Sequence, residues 1–229
     1  WGLLTKPDKI PGYTFLPFFL LGLAYYTRNP RMAWSLCISS LVLSWFGGSV
    51  EGCVIIGVWA AFWAIQQKKQ IRALLLMASV GGLSALVIAI NLYPLLVHLP
   101  LTTRTGGLDW VVGTELSMSP VDLLRLIWPV DKDSFIFDIA HREHYLPTIF
   151  IGITGFALLI RGVRNTRSYG YHVLFFVFLL LAFGKHTPLS HVIYELPLLG
   201  TIQYPEKYWM GLMPILAYFC SRGMHNVPK

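Results

Sequence analysis

The sequence predicts an all-α polytopic membrane protein: about seven transmembrane helices and one large outer loop that contains a short amphipathic helix. Three observations lead there. Of 229 residues, 55% are hydrophobic and only 13% charged, whereas soluble domains carry about 25% charged residues. The mean hydropathy is +0.59, and apolar runs recur along the whole chain. The charges between those runs alternate in character, as a membrane topology requires.

The runs follow in order. The first, 13–27 "YTFLPFFLLGLAYYT", is closed by "RNPR", and the second is 32–46, "MAWSLCISSLVLSWF". A turn, "GGSVEG" (47–52), leads to the third, 53–66, which closes on "QKKQIR". The fourth, 73–99, is long, and a polar stretch from about 100 to 144 follows it. The fifth is 145–160, the sixth 171–184 and the seventh 208–221. A helical span needs roughly 20 apolar residues. Several runs are shorter, and interfacial aromatics such as Tyr25, Tyr26, Tyr169 and Tyr171 extend them. An alternative for the second and third runs is a re-entrant pair around "GGSVEG", which would need protein cover for its backbone.

Numbering the connections alternately separates the charges. Arg28, Arg31, Lys68, Lys69, Arg72, Arg161, Arg164, Arg167, Arg222 and Lys229 fall in one set, which holds none of the eleven acids. All the acids and the remaining bases fall in the other. Basic connections face the cytoplasm, so seven spans with the N-terminus outside and the C-terminus inside fit every connection. The net charge of +7 is then explained by orientation toward anionic lipid and needs no nucleic acid. The whole of 1–229 reads as a single transmembrane domain, and the opening "WGLLTKPDKIPGY", without a Met, reads as part of a longer chain.

Polar groups at membrane depth are functional candidates. Glu51 in "GGSVEG" is one; its other reading is a solvated turn. The long loop carries Arg104, Asp109, Trp110 and the segment "SPVDLLRLIWP". There Ser119 suits an N-cap, Pro120 the first position and Asp122 the first turn of an amphipathic helix. Leu123, Leu124, Ile127 and Trp128 would form its membrane-facing side. "HREH" spaces His141 and His144 three apart, and with Asp138 they make a candidate divalent-metal set that lacks a fourth ligand. The connection 185–207 holds His186, His191, Glu195, Glu206 and Lys207. A lysine there can bind a phosphate as a point charge, or it can simply anchor a helix end at the interface. Cys37, Cys53 and Cys220 lie in or beside apolar runs, with no CxxC spacing, and read as small buried residues. No P-loop, HExxH or GxSxG occurs.

Taken in order, these stretches resemble the YfhO-type bacterial membrane proteins, which are similar to GT-C glycosyltransferases. "GGSVEG" stands where that family often has a Gly-Gly-His-Pro-Gln-like turn. "NLYPLLVHLPLTTRTGG" is similar to its span ending in Pro before a Ser-x-Arg-like turn. "SMSPVDLLRLIWP" and "YLPTIFIGITGFALLIRG" look like the helix before the large loop and the next span. "AFGKHTPLSHVIYELPLLGTIQYPEKYWMGLMPILAYFCSRGM" resembles a G-x-x-T-P … L-P … F-R-x-P-x-K pattern. Two positions depart from it: Ser49-Val50-Glu51 replaces His-Pro-Gln, and Gln203 replaces the usual Arg.

The resemblance implies an enzyme of the bacterial cytoplasmic membrane that moves a sugar from a polyprenyl-phosphate donor on the outer side. Its base would be an acidic residue of the first outer loop, expected before Trp1, so no catalytic residue is carried over. Glu51, Arg104, His186, Glu206 and Lys207 are the implied donor or acceptor contacts. Two other classes remain open. One is a non-catalytic subunit of a membrane protein complex. The other is a transporter or flippase in which Glu51 or Glu195 carries coupling protons.

Overall fold

A segment surrounded by lipid must satisfy its backbone hydrogen bonds internally, and a helix does so. A computed structural model of the chain describes residues 14–47, 50–67, 70–98, 110–114, 117–128, 150–195 and 205–225. All regular structure among them is helical. The α-helices are α1 (Leu16–Tyr25), α2 (Pro30–Phe46), α3 (Val50–Gln66), α4 (Gln70–His98), α5 (Trp110–Gly113), α6 (Gly152–Asn165), α7 (Tyr169–Phe183), α8 (Leu189–Glu195) and α9 (Trp209–His225). Three 3₁₀ turns, Pro120–Leu126, Gly184–His186 and Pro205–Tyr208, join them. Among the described residues, two stretches are long and apolar enough to cross a membrane: Gln70–Ile90 in α4, and Tyr169–His186 through α7. Leu16–Tyr25 and Glu51–Gln66 are apolar but shorter.

The described helices form two compact units, α1–α4 and α5–α9. In the first, "RNPR" both ends α1 and starts α2. Asn29 Oδ1 accepts a hydrogen bond from the Met32 amide at 3.2 Å, with Pro30 in the first position. Gly22 lets α1 approach α2: a Cβ there would lie 2.8 Å from Cys37 Sγ and 3.2 Å from the Ala33 carbonyl oxygen. Cys37 is fully buried in that contact, while Cys53 and Cys220 are half-buried; all three thiols are free.

α3 begins inside the expected turn, and Glu51 lies in its first helical turn. The reason is electrostatic, because unpaired N–H groups at a helix start favour a carboxylate. On α4, Ala73, Leu76, Val80 and Ser84 are buried, while Ile71, Leu74, Leu75, Leu83, Leu86, Val87 and Ile90 are exposed. Such a helix is apolar on both faces, as a helix in lipid is.

In the second unit, α6 and α9 meet backbone to backbone. A Cβ added at Gly162 would collide with the Phe219 carbonyl oxygen, and one at Gly223 with that of Leu158. Cys220 Sγ donates to the Gly155 carbonyl at 3.5 Å. α7 crosses α9 through a Tyr171–Tyr218 stack with ring centres 4.2 Å apart and through Phe178 seated on Gly211. Phe178, Leu212, Ile215 and Phe219 are fully buried. These pairings run α7 antiparallel to α9, and the turn 166–168 makes it antiparallel to α6.

The topology sorts the charges within each unit. In the second, the C-terminal ends of α6 and α9 and the start of α7 bring Arg161, Arg164, Arg167, Arg222 and His225 to one end. Lys185, His186, Glu206 and Lys207 lie at the other. In the first, Tyr26 packs edge-on against Trp63, ring centres 5.1 Å apart, joining the ends of α1 and α3. Arg28 and Arg31 lie in the connection just after Tyr26, and Glu51 sits at the opposite end of α3.

Some boundaries move from their expected places. The fifth run, expected over 145–160, forms helix over Gly152–Asn165. Its two C-terminal arginines end the hydropathy without ending the helix. The segment expected as an amphipathic helix is the 3₁₀ turn Pro120–Leu126.

Candidate functional site

The candidate site lies at the end of the second unit opposite its arginines. It starts where α7 stops. Gly184 takes φ +43°, a left-handed conformation that glycine adopts without strain, and its amide donates to the Leu181 carbonyl. No side chain fits there: a Cβ would strike Ser117 Oγ and lie 2.6 Å from Pro205 Cγ. Gly184 therefore marks where three distant segments converge. Ser117 Oγ donates to the Thr114 carbonyl at 2.5 Å and accepts from the Lys185 amide at 3.0 Å. The Met118 amide donates to the Ala182 carbonyl at 3.0 Å. Pro205 closes the third side.

Around this junction the segment Ser119–Asp122 forms a capping box. The Ser119 amide donates to Asp122 Oδ2 at 2.7 Å, and Ser119 Oγ accepts from the Val121 amide at 3.1 Å. Asp122 is buried in the process, while Leu124 and Trp128 stay exposed. A second tie runs through Trp110, whose ring stacks on His191 with centres 4.4 Å apart and planes at 10°. Trp110 Nε1 donates to Ser190 Oγ at 3.1 Å, and Ser190 Oγ donates to the Thr187 carbonyl at 3.0 Å. Trp110 and α8 are thus fixed to the turn that follows Gly184.

Pro205 delivers the acid–base pair. Glu206 is 8% exposed and Lys207 7%, and Tyr208 and Trp209 are buried beside them. An interface anchor behaves otherwise, burying its alkyl stem and keeping its ammonium in water. The lysine as a whole is enclosed by protein. Removing a charge from water costs several kcal/mol unless other groups compensate. The Trp209 indole nitrogen is also buried, with no acceptor among the described residues.

The structure brings His186, Glu206 and Lys207 to one junction through the contact of Gly184 with Pro205, and leaves the His186 side chain exposed. Glu51 is half-buried and belongs to the other unit. Arg104 and the metal candidates Asp138, His141 and His144 lie outside the described residues. Among the described residues, no group of three His, Cys, Asp or Glu side chains is placed to hold a metal ion. Sequence reasoning overlooked Ser117 and the Trp110–His191 stack. A hydroxyl before Ser119-Pro120 gives no signal of its own, and the partners of both are about 70 to 80 residues away in the chain.

Among the described residues, fold and site together define an all-helical architecture with two helices long and apolar enough to cross a membrane and a buried acid and base, Glu206 and Lys207, at one helix end. The chain matches no known protein-family model, no curated protein and no solved structure.

Proposed function

We propose that the chain is part of a GT-C-like membrane glycosyltransferase that binds a polyprenyl-phosphate-linked sugar at the Glu206–Lys207 end of its second unit. One observation carries the reading: Lys207 is enclosed at a helix start, where a cation opposes the helix dipole. A bound phosphate reverses that disadvantage, because Lys207 and the nearby helix amides then attract the same anion. Glu206 is suited to a sugar hydroxyl, and the buried Trp209 N–H offers a further donor to a ligand oxygen. The exposed apolar faces of α7, including Val173, Phe176, Val177 and Leu180, suit a polyprenyl chain or lipid.

In this reading the chain has about seven spans in the bacterial cytoplasmic membrane. The arginine ends face the cytoplasm and the Lys207 end faces out. A reporter fused after residue 70 is expected to read cytoplasmic, and a periplasmic signal there would reverse the orientation. Intact protein in nanodiscs is expected to bind polyprenyl phosphate saturably and more tightly than the uncharged polyprenol. Equal affinity for both would remove the phosphate site.

The second reading, a non-catalytic membrane subunit, draws on the wide exposed face of α4, where Cβ atoms added at Gly81 and Gly82 would meet nothing within 4 Å. It predicts co-purifying membrane partners and no lipid-phosphate binding.

A further inference from the structure

We propose that the arginine end of the second unit is a binding site for an anionic phospholipid, with Arg164, Arg167 and Arg222 holding its phosphodiester headgroup. The three residues come from three elements. Arg164 stands in the last turn of α6, Arg167 in the turn before α7, and Arg222 in the last turn of α9. All three are exposed. The packing brings them to one level. Gly162 and Gly223 lie at the backbone contact of α6 with α9, with Arg164 just after the first and Arg222 just before the second. α7 joins through His172, whose Nε2 lies 3.0 Å from the Val163 carbonyl oxygen and whose ring centre lies 5.3 Å from that of Phe219.

No carboxylate on these elements neutralises the cluster. α6, α7, α9 and the turn 166–168 carry no acid, and Asp122, Glu195 and Glu206 belong to segments at the opposite end. Helix dipoles account for two of the three charges. Arg164 and Arg222 sit at helix C-termini, where a cation is favoured. Arg167 sits just before the start of α7, where the dipole opposes it, at the same end as two like charges. A bound anion offsets both penalties. A guanidinium grips a phosphate through two parallel hydrogen bonds, and it is more weakly hydrated than an ammonium.

The face beside the cluster selects a lipid over a soluble anion. Tyr169, Val173 and Phe176 are 82%, 49% and 57% exposed. Their spacing of four and then three residues puts them on one face of α7, which begins just after Arg167. From Tyr169 to Val177, also exposed, the helix rises about 12 Å at 1.5 Å per residue. That is most of the roughly 15 Å half-thickness of a bilayer core. The stretch Tyr169–His186 is itself long and apolar enough to cross a membrane. A phosphate at Arg167 therefore has an apolar track for its acyl chain directly beside it, and Tyr169 suits the headgroup boundary. A zwitterionic headgroup fits less well, because its own cation meets the arginines. General attraction of basic connections to anionic lipid is spread over a surface, whereas this site is three side chains and one helix face. It stands whichever reading of the Lys207 end holds.

The test titrates intact protein in a neutral detergent with phosphatidylglycerol or phosphatidylcholine and counts bound lipid by native mass spectrometry. Phosphatidylglycerol is expected to bind saturably and about tenfold more tightly, the worth of one or two arginines at a membrane surface. Arg167→Gln should weaken it about fivefold, the worth of one. Changing Arg164, Arg167 and Arg222 together to glutamine should abolish the preference. Changing the exposed Arg28, Arg31 and Arg72 of the first unit to glutamine removes the same charge and should leave the preference intact. Equal affinity of wild-type protein for the two lipids, or equal loss in the two triple variants, would overturn the proposal. So would inorganic phosphate that displaces phosphatidylglycerol at equal concentration, which would make the ligand a soluble anion. The comparison of lipids on wild-type protein stands even if a variant does not fold.

Discussion

Replacing Gly162 with leucine is expected to separate α6 from α9 and to lower the stability of the second unit by about 3–5 kcal/mol, the upper range for overpacking. The obstacle is the Phe219 carbonyl, a backbone atom in the middle of a helix that cannot rotate aside as a side chain can. Gly162→Ala should already be harmful, although alanine normally stabilises a helix interior by about 0.5–1 kcal/mol relative to glycine. Gly81 is the internal control. A Cβ there meets nothing within 4 Å, so Gly81→Ala should be neutral or stabilising. Thermal unfolding in one detergent measures both, and effects of equal sign would refute the backbone contact.

The second large effect is expected at Lys207. Lys207→Met keeps an unbranched apolar stem of similar length and removes the charge. If the ammonium meets a lipid phosphate, binding of polyprenyl phosphate should weaken about 10- to 100-fold, the range for a hydrogen bond to a charged group. Binding of the neutral polyprenol should be unchanged. Glu206→Gln should spare phosphate affinity and reduce sugar transfer. A Lys207→Met protein that is less stable but binds phosphate as well as wild type would make the lysine a structural group and remove it from the site.

The helices were legible in the sequence because apolar runs and their punctuation are local. "RNPR" marks the end of α1 and the capped start of α2 within a few residues. The ends that moved did so where charge and helix coexist. Hydropathy stops at Arg161, yet α6 continues to Asn165 because its hydrogen bonds do not depend on lipid. Glu51 looked like a loop residue and lies in the first turn of α3. The enclosure of Lys207 was not legible. Just before it in the chain, Pro205 meets Gly184, about 20 residues upstream, which in turn meets Ser117, about 70 residues further back, and no window along the chain contains all three. The same window shows Glu206 and Lys207 whether they are bathed in water or buried.

The glycine contact of α6 with α9 also has a mechanical meaning. It lies at the arginine end, near Leu158–Gly162 and Phe219–Gly223, and so holds α9 at the end far from the candidate site. From there to Trp209 the helix runs about 13 residues, roughly 20 Å at 1.5 Å per residue. Between the two ends Pro214 removes one helical hydrogen bond, and Phe178 seated on Gly211 pins the far end of α9 as the glycines pin the near one.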